Sequence, residues 1–169
     1  MKALPCILLG LAIGLPAQAQ PRSKQIKPAH VRLLAHGEKN ASTAGRKVLE
    51  TARKMTLDQR VIIPGSCWTY ADAVYKNAGF QSNKRKRVFS SKKHGGPYAR
   101  TSQVQPGDWL YHINHGYKGV EHSSIFVAWI DEPKKIGLML SYGGEHRKEP
   151  ARYRAYDLRS IYTIHRPVN

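Results

Sequence analysis

Gly65-Ser66-Cys67-Trp68-Thr69-Tyr70-Ala71-Asp72-Ala73-Val74-Tyr75-Lys76-Asn77-Ala78-Gly79-Phe80 is the stretch that decides how the chain folds. Cys67, Ala71, Val74 and Ala78 recur at spacings of four, three and four, which places them on one stripe of a helix. Pro64-Gly65 breaks the preceding pattern, Ser66 is a good N-cap and Gly79 a C-terminal stop, so the helix is predicted from Cys67 to Ala78. Its cysteine lies in the first turn. There the unpaired backbone N–H groups and the positive end of the helix dipole favour an anion, and so a thiolate over a thiol.

Upstream of this helix, Ser42 or Thr43 caps another in which Val48, Ala52 and Met55 share one face, ending near Leu57. Pro28 opens a shorter helix through Ala35, with Gly37 ending it. Downstream the pattern changes. Gln81 to Gln105 is polar and basic, contains Gly95-Gly96-Pro97, and reads as a long loop. Strands are then predicted from Trp109 to Ile113, Ser123 to Ile130, Ile136 to Tyr142 and Ser160 to His165. Helices first and an antiparallel sheet second give an α+β domain. Asp108, in a Gly-Asp pair before a strand, reads as a turn residue and not a catalytic one.

The ends and the charge say where such a domain works. Residues 1–19 carry Lys2, an apolar stretch from Ala3 to Leu15 and Ala17-Gln18-Ala19, the form of a cleaved export signal. Residues 20–40 then read as a flexible basic leader, and 41–169 as the folded domain. The apolar stretch is too short for an anchor, so no integral membrane segment is expected after cleavage, and the protein is expected in the periplasm or outside the cell. In 169 residues there are 28 Lys and Arg against 11 Asp and Glu, a net charge of +17. Such a balance attracts polyanions. For an exported chain, Lys84-Arg85-Lys86-Arg87 reads as a solvated basic loop that touches anionic cell-wall polymers, with no specific nucleic acid expected; a secreted DNA-binding protein would rest on charge alone. Cleavage of the export signal removes Cys6, so Cys67 is the one remaining thiol and forms no internal disulfide.

A lone thiol at a helix tip fits nucleophilic catalysis, which needs an imidazole to take its proton and a polar group to orient that imidazole. His122 opens the best strand candidate, in Glu121-His122-Ser123-Ser124-Ile125-Phe126-Val127, with small neighbours beside it. The stretch from Gly65 to Phe80 resembles the cysteine-bearing helix of the NlpC/P60 family of cell-wall peptidases. Gln105-Pro106-Gly107-Asp108-Trp109-Leu110-Tyr111 resembles that family's Pro-Gly-Asp strand, and His122 through Trp129 its histidine strand; Tyr162 to Pro167 is similar to a closing strand. The resemblance covers about Ser66 to Arg166. It implies a papain-like α+β fold, with the cysteine helix packed on an antiparallel sheet, and hydrolysis of amide bonds in peptidoglycan stem peptides without a metal; a monomer with no cofactor is expected. It gives Cys67 the role of nucleophile and His122 that of general base and acid. The third position departs from the family's usual residues: within Leu138-Met139-Leu140-Ser141-Tyr142-Gly143-Gly144-Glu145, Ser141 is the first choice and Tyr142 and Glu145 follow. A hydroxyl stabilises an imidazolium less than a carboxylate does, which leaves a non-catalytic wall-binding protein on the same scaffold as the alternative.

His112 and His115 have a spacing seen in zinc sites, with His122 as a third ligand, but no acidic zinc motif accompanies them and no metal is expected. Trp68, Tyr70, Trp109, Tyr111, Tyr117 and Trp129 are candidates for a groove lining, with most read as core.

Overall fold

A computed structural model describes residues 25–169; the export signal read at 1–19 and the start of the leader lie outside the described residues. Helix α1 (Pro28–Asn40) is followed by α2 (Thr43–Arg53), which continues through a wider π-helical turn at Lys54–Asp58, and by α3 (Cys67–Asn77). Six strands then form one antiparallel sheet: β1 (Arg85–Ser90), β2 (Trp109–Asn114), β3 (Val120–Asp131), β4 (Ile136–Ser141), β5 (Arg152–Asp157) and β6 (Ile161–Pro167), in the spatial order β1-β6-β2-β3-β4-β5. The domain is thus α+β, with three helices packed on the sheet. Among the described residues no helix is long and apolar enough to cross a membrane.

The two faces of the sheet serve different cores. Ile125, Val127, Leu138 and Leu140 bury themselves against Leu34 of α1, Val48 and Leu49 of α2 and Val74 and Tyr75 of α3. The opposite face carries Leu110, Phe126, Met139 and Ile164, covered by Ala99, Val104 and Leu158 from loops. Ser42 caps α2 by accepting the Gly45 N–H at 3.1 Å, and α3 stops as expected at Gly79, whose φ of +91° suits glycine.

Three expectations need correction. Residues 28–40 belong to the fold and not to a flexible leader, because α1 runs through Gly37 and packs on the sheet. A Cβ at Gly37 would lie 2.4 Å from the Val127 carbonyl oxygen, so this glycine marks a close crossing of α1 over β3 where a helix stop was read. The run Lys84-Arg85-Lys86-Arg87 lies largely in an edge strand, β1, and not in a solvated loop. Its Arg85 turns inward to pair with Asp72 at 2.6 Å, with its guanidinium 5.2 Å from the Tyr75 ring centre and 5.5 Å from that of Trp109. Finally β5, in a segment for which no element was predicted, forms the other sheet edge. Asp108 is structural as expected: it is buried, accepts the Gln105 N–H at 2.8 Å and holds Arg166 at 2.7 Å.

Gly37→Ala separates the two readings of that glycine by sign. Helix propensity alone would stabilise the alanine variant by about 1 kcal/mol, whereas forcing a methyl against β3 costs about 1–3 kcal/mol. Urea unfolding of Gly37→Ala is therefore expected to show a lowered midpoint.

Candidate active site

The strands end unevenly, and the site lies where they do. The last paired residues of β3 and β4 are Ile125 and Leu140, while residues 120–124 of β3 continue alongside β2 only. Beyond β4 the chain passes through Gly143 and Gly144 toward the start of α3, where the Glu145 N–H donates to the Gly65 carbonyl at 2.9 Å. A cavity of about 880 Å³ opens there. Gly65, Ser66 and Cys67 line it from the helix side, and His122, Ser141 and Tyr156 from the sheet.

Cys67 is half-buried at the first position of α3, whose entry is fixed by the Ser66 N–H donating to Thr69 Oγ1 at 3.1 Å. His122 reaches the cavity from the other direction. Side chains alternate along β3, so with Ile125 and Val127 on the helix face, His122 shares the opposite face with Ser124 and Phe126. The thiol and the imidazole therefore share a cavity only because the sheet is open at this end. Among the described residues no hydrogen bond engages the Cys67 sulfur.

The His122 side of the site is tightly organised. Its Nε2 lies 2.8 Å from Ser141 Oγ, which lies 2.7 Å from the Tyr156 hydroxyl, itself 3.5 Å from the same Nε2. The Tyr156 ring stacks on the imidazole at 5.4 Å with a 25° interplanar angle. His112 meets both rings edge-on, 5.5 Å from His122 and 5.3 Å from Tyr156. Burial pulls the His122 pKa from 6.5 down to about 4, because the charged form loses its hydration, so the ring is neutral near pH 7. His112, fully buried, is pulled to about 3 by the same desolvation with His122 adding to it.

Of the three candidates for the orienting position, Ser141 alone bonds the imidazole. Tyr142 points to the helix side, where its hydroxyl donates to the Ile63 carbonyl at 2.8 Å and its ring stacks on Tyr70. Glu145 lines the cavity but lies exposed on its rim. The histidines weighed as zinc ligands do not converge: Nε2 of His112, His115 and His122 each pairs with a different serine, Ser124 at 3.0 Å, Ser160 at 2.9 Å and Ser141 at 2.8 Å. Among the described residues no group of three or more potential ligands is arranged to hold a metal ion.

Of the aromatic groove candidates, Trp68 is 47% exposed beside Cys67 and pinned by its indole N–H donating to the Tyr111 hydroxyl at 2.6 Å, and Tyr117 lines the cavity. Tyr70 and Trp109 are core. Tyr156 was not foreseen as part of the site, and His112 was weighed beside His122 only as a zinc ligand. No periodicity marked β5 as a strand.

No protein-family model, curated protein or solved structure matches the chain.

Proposed function

We propose that the chain is an exported cysteine hydrolase that cleaves amide bonds in peptidoglycan stem peptides, on a papain-like scaffold of the NlpC/P60 type. The observation that carries this reading is the His122–Ser141 pair at 2.8 Å in a cavity that Cys67 also lines. With Nε2 committed to Ser141, Nδ1 is the nitrogen left to receive a proton. The Cys67 sulfur adds to the amide carbonyl carbon as its proton passes to His122, and the negative oxygen of the adduct is met by the N–H groups at the start of α3. Collapse breaks the C–N bond, and His122 returns the proton to the leaving amine. Water then gives its proton to His122 and attacks the thioester, which releases the carboxylic acid and restores the thiol. Burial keeps His122 neutral near pH 7, and so open to a proton, while weakening it as a base.

Charge supports the substrate class. Arg147 and Arg154 line the cavity and make no ion pair among the described residues, whereas Arg152 is tied to Glu149 and Asp157 to Arg159. Two free cations fit a peptide rich in carboxylates. The large excess of Lys and Arg over Asp and Glu would hold the enzyme on anionic wall polymers. The second reading, a non-catalytic wall-binding protein, draws on the Cys67 sulfur, which no hydrogen bond engages among the described residues.

Mature protein is expected to release new amines from purified peptidoglycan, with Cys67→Ala and His122→Ala reduced to background. Equal release by Cys67→Ala would reject the mechanism, and wall binding with no release by the unmodified protein would assign the second reading. In the active protein kcat/KM is expected to fall off only as the pH drops to about 4, where His122 gains its proton; an acid limb near 6.5 would mean that the imidazole is solvated. Arg154→Ala is expected to raise KM about fivefold with kcat unchanged, the signature of a lost uniform binding contact.

A further inference from the structure

Trp68 is the one tryptophan exposed to solvent, and it is held there rigidly. It leans from α3 over β2, where its indole N–H donates to the Tyr111 hydroxyl at 2.6 Å and its ring lies 5.5 Å from that of Trp109. Tyr111 in turn stacks on Trp109 at 5.6 Å and meets the edge of Tyr162, from β6, at 6.2 Å. Side chains already fixed by a hydrogen bond and by ring contacts lose little freedom when a ligand covers them. Aromatic rings kept in water in this way mark a binding surface.

The groups around these rings suit a ligand that is apolar on one face and polar at its edge. Tyr111 accepts the indole proton and keeps its own uncommitted among the described residues. The Tyr162 hydroxyl donates to Glu121 at 3.0 Å, and Glu121 pairs with Lys93 at 3.1 Å, both of them partly exposed. Burial raises the Tyr162 pKa above its ordinary value, with Glu121, Tyr111 and Cys67 acting in the same sense, so this group stays a neutral hydroxyl. A pyranose ring answers the whole set: its axial C–H bonds lie on an aromatic face while its equatorial groups hydrogen-bond sideways. An apolar peptide side chain would use the rings alone. Position points the same way. The cavity opens on one side of Cys67, toward β4 and β5, and the rings stand on the other, over β2 and β6. His122 lies on the cavity side and returns its proton to the leaving amine, so the acyl part of the substrate lies toward the rings. In a stem peptide that part runs back to the sugar that carries it. We propose that Trp68, Tyr111 and Tyr162 seat an N-acetylated sugar ring on the acyl side of Cys67, so that the chain cuts stem peptides still attached to their glycan. The direction of the substrate rests on the hydrolase reading, and the sugar seat does not.

The test is the indole N–H signal of Trp68 in ¹H–¹⁵N spectra of the mature protein, identified with Trp68→Phe and followed as peptide-free N-acetylglucosamine oligomers are added. The oligomers are expected to shift this signal in the unmodified protein and to leave that of Trp129, on the other face of the sheet, where it was. Trp68→Ala is expected to raise the oligomer Kd about tenfold at an unaltered unfolding midpoint, the effect of one lost aromatic face. In the amine-release assay, a glycan-linked stem peptide is expected to be cut with a kcat/KM about tenfold above that of the same peptide freed of sugar, and Trp68→Ala to abolish the difference. A Trp68 signal that the oligomers do not move would overturn the proposal, and so would one that moves only with the sugar-free peptide, which would give the rings to a peptide side chain. The oligomer shift in a protein that releases no amines would uphold the sugar seat and reject the hydrolase. Amine release without the shift would leave the hydrolase standing and remove the seat.

Discussion

The register between β3 and β4 is the constraint on which the site depends. His122 and Ser141 are nineteen residues apart and meet because both point to the sheet face away from the helices. Side chains alternate with a period of two, so a slip of one residue in either strand would turn one partner into the helix layer. The turn between them fixes that register: Asp131 accepts the Lys134 N–H at 3.2 Å, and Lys135 takes a left-handed backbone with φ of 56° before β4 begins. The bulge between Phe126 and Ala128 lies farther from the site, so residues 120–126 keep strict alternation where His122 meets Ser141.

Much of the helix layer and the inner sheet was legible because burial imposes a period. α2, α3 and β2, β3, β4 and β6 were read within a few residues of their observed bounds, and Cys67, His122 and Ser141, far apart in the sequence, all line one cavity. The missed elements are the two sheet edges. β1 reads Arg-Lys-Arg-Val-Phe-Ser and β5 Arg-Tyr-Arg-Ala-Tyr-Asp, sequences in which charge on the solvated side hides the strand signal. Tyr156 was lost with β5. Gly37 was misread for a related reason: its role is contact with another element, and no local pattern separates a glycine that ends a helix from one that lets a strand approach.

The same edges give part of the large positive charge a purpose within the fold. Lys86 and Arg87 on β1 and Arg154 on β5 sit on strands whose outer backbone groups would otherwise invite pairing with another chain. Arg85 is spent inside, between Asp72 and the rings of Tyr75 and Trp109. Counting net charge from the sequence merges these roles with attraction to a polyanion, and only the exposed, unpaired cations remain for a partner.

Keeping His122 neutral carries a cost that the geometry makes explicit. His112 and His122 lie in contact with pKa values of about 3 and about 4, below the 6.5 that each has when the chain unfolds. Between pH 6.5 and 4 the unfolded chain binds protons that the folded chain refuses, so the stability these rings contribute is complete above pH 6.5 and is lost as the pH falls through that window. A carboxylate in place of Ser141 would favour the imidazolium and relieve this acid sensitivity. It would also bury a charge beside His112 and Tyr156, where Arg152, its cross-strand neighbour, is already tied to Glu149. Two hydroxyls in series hold the ring without that charge, which is why an acid-sensitive neutral imidazole and a serine partner belong together in this fold.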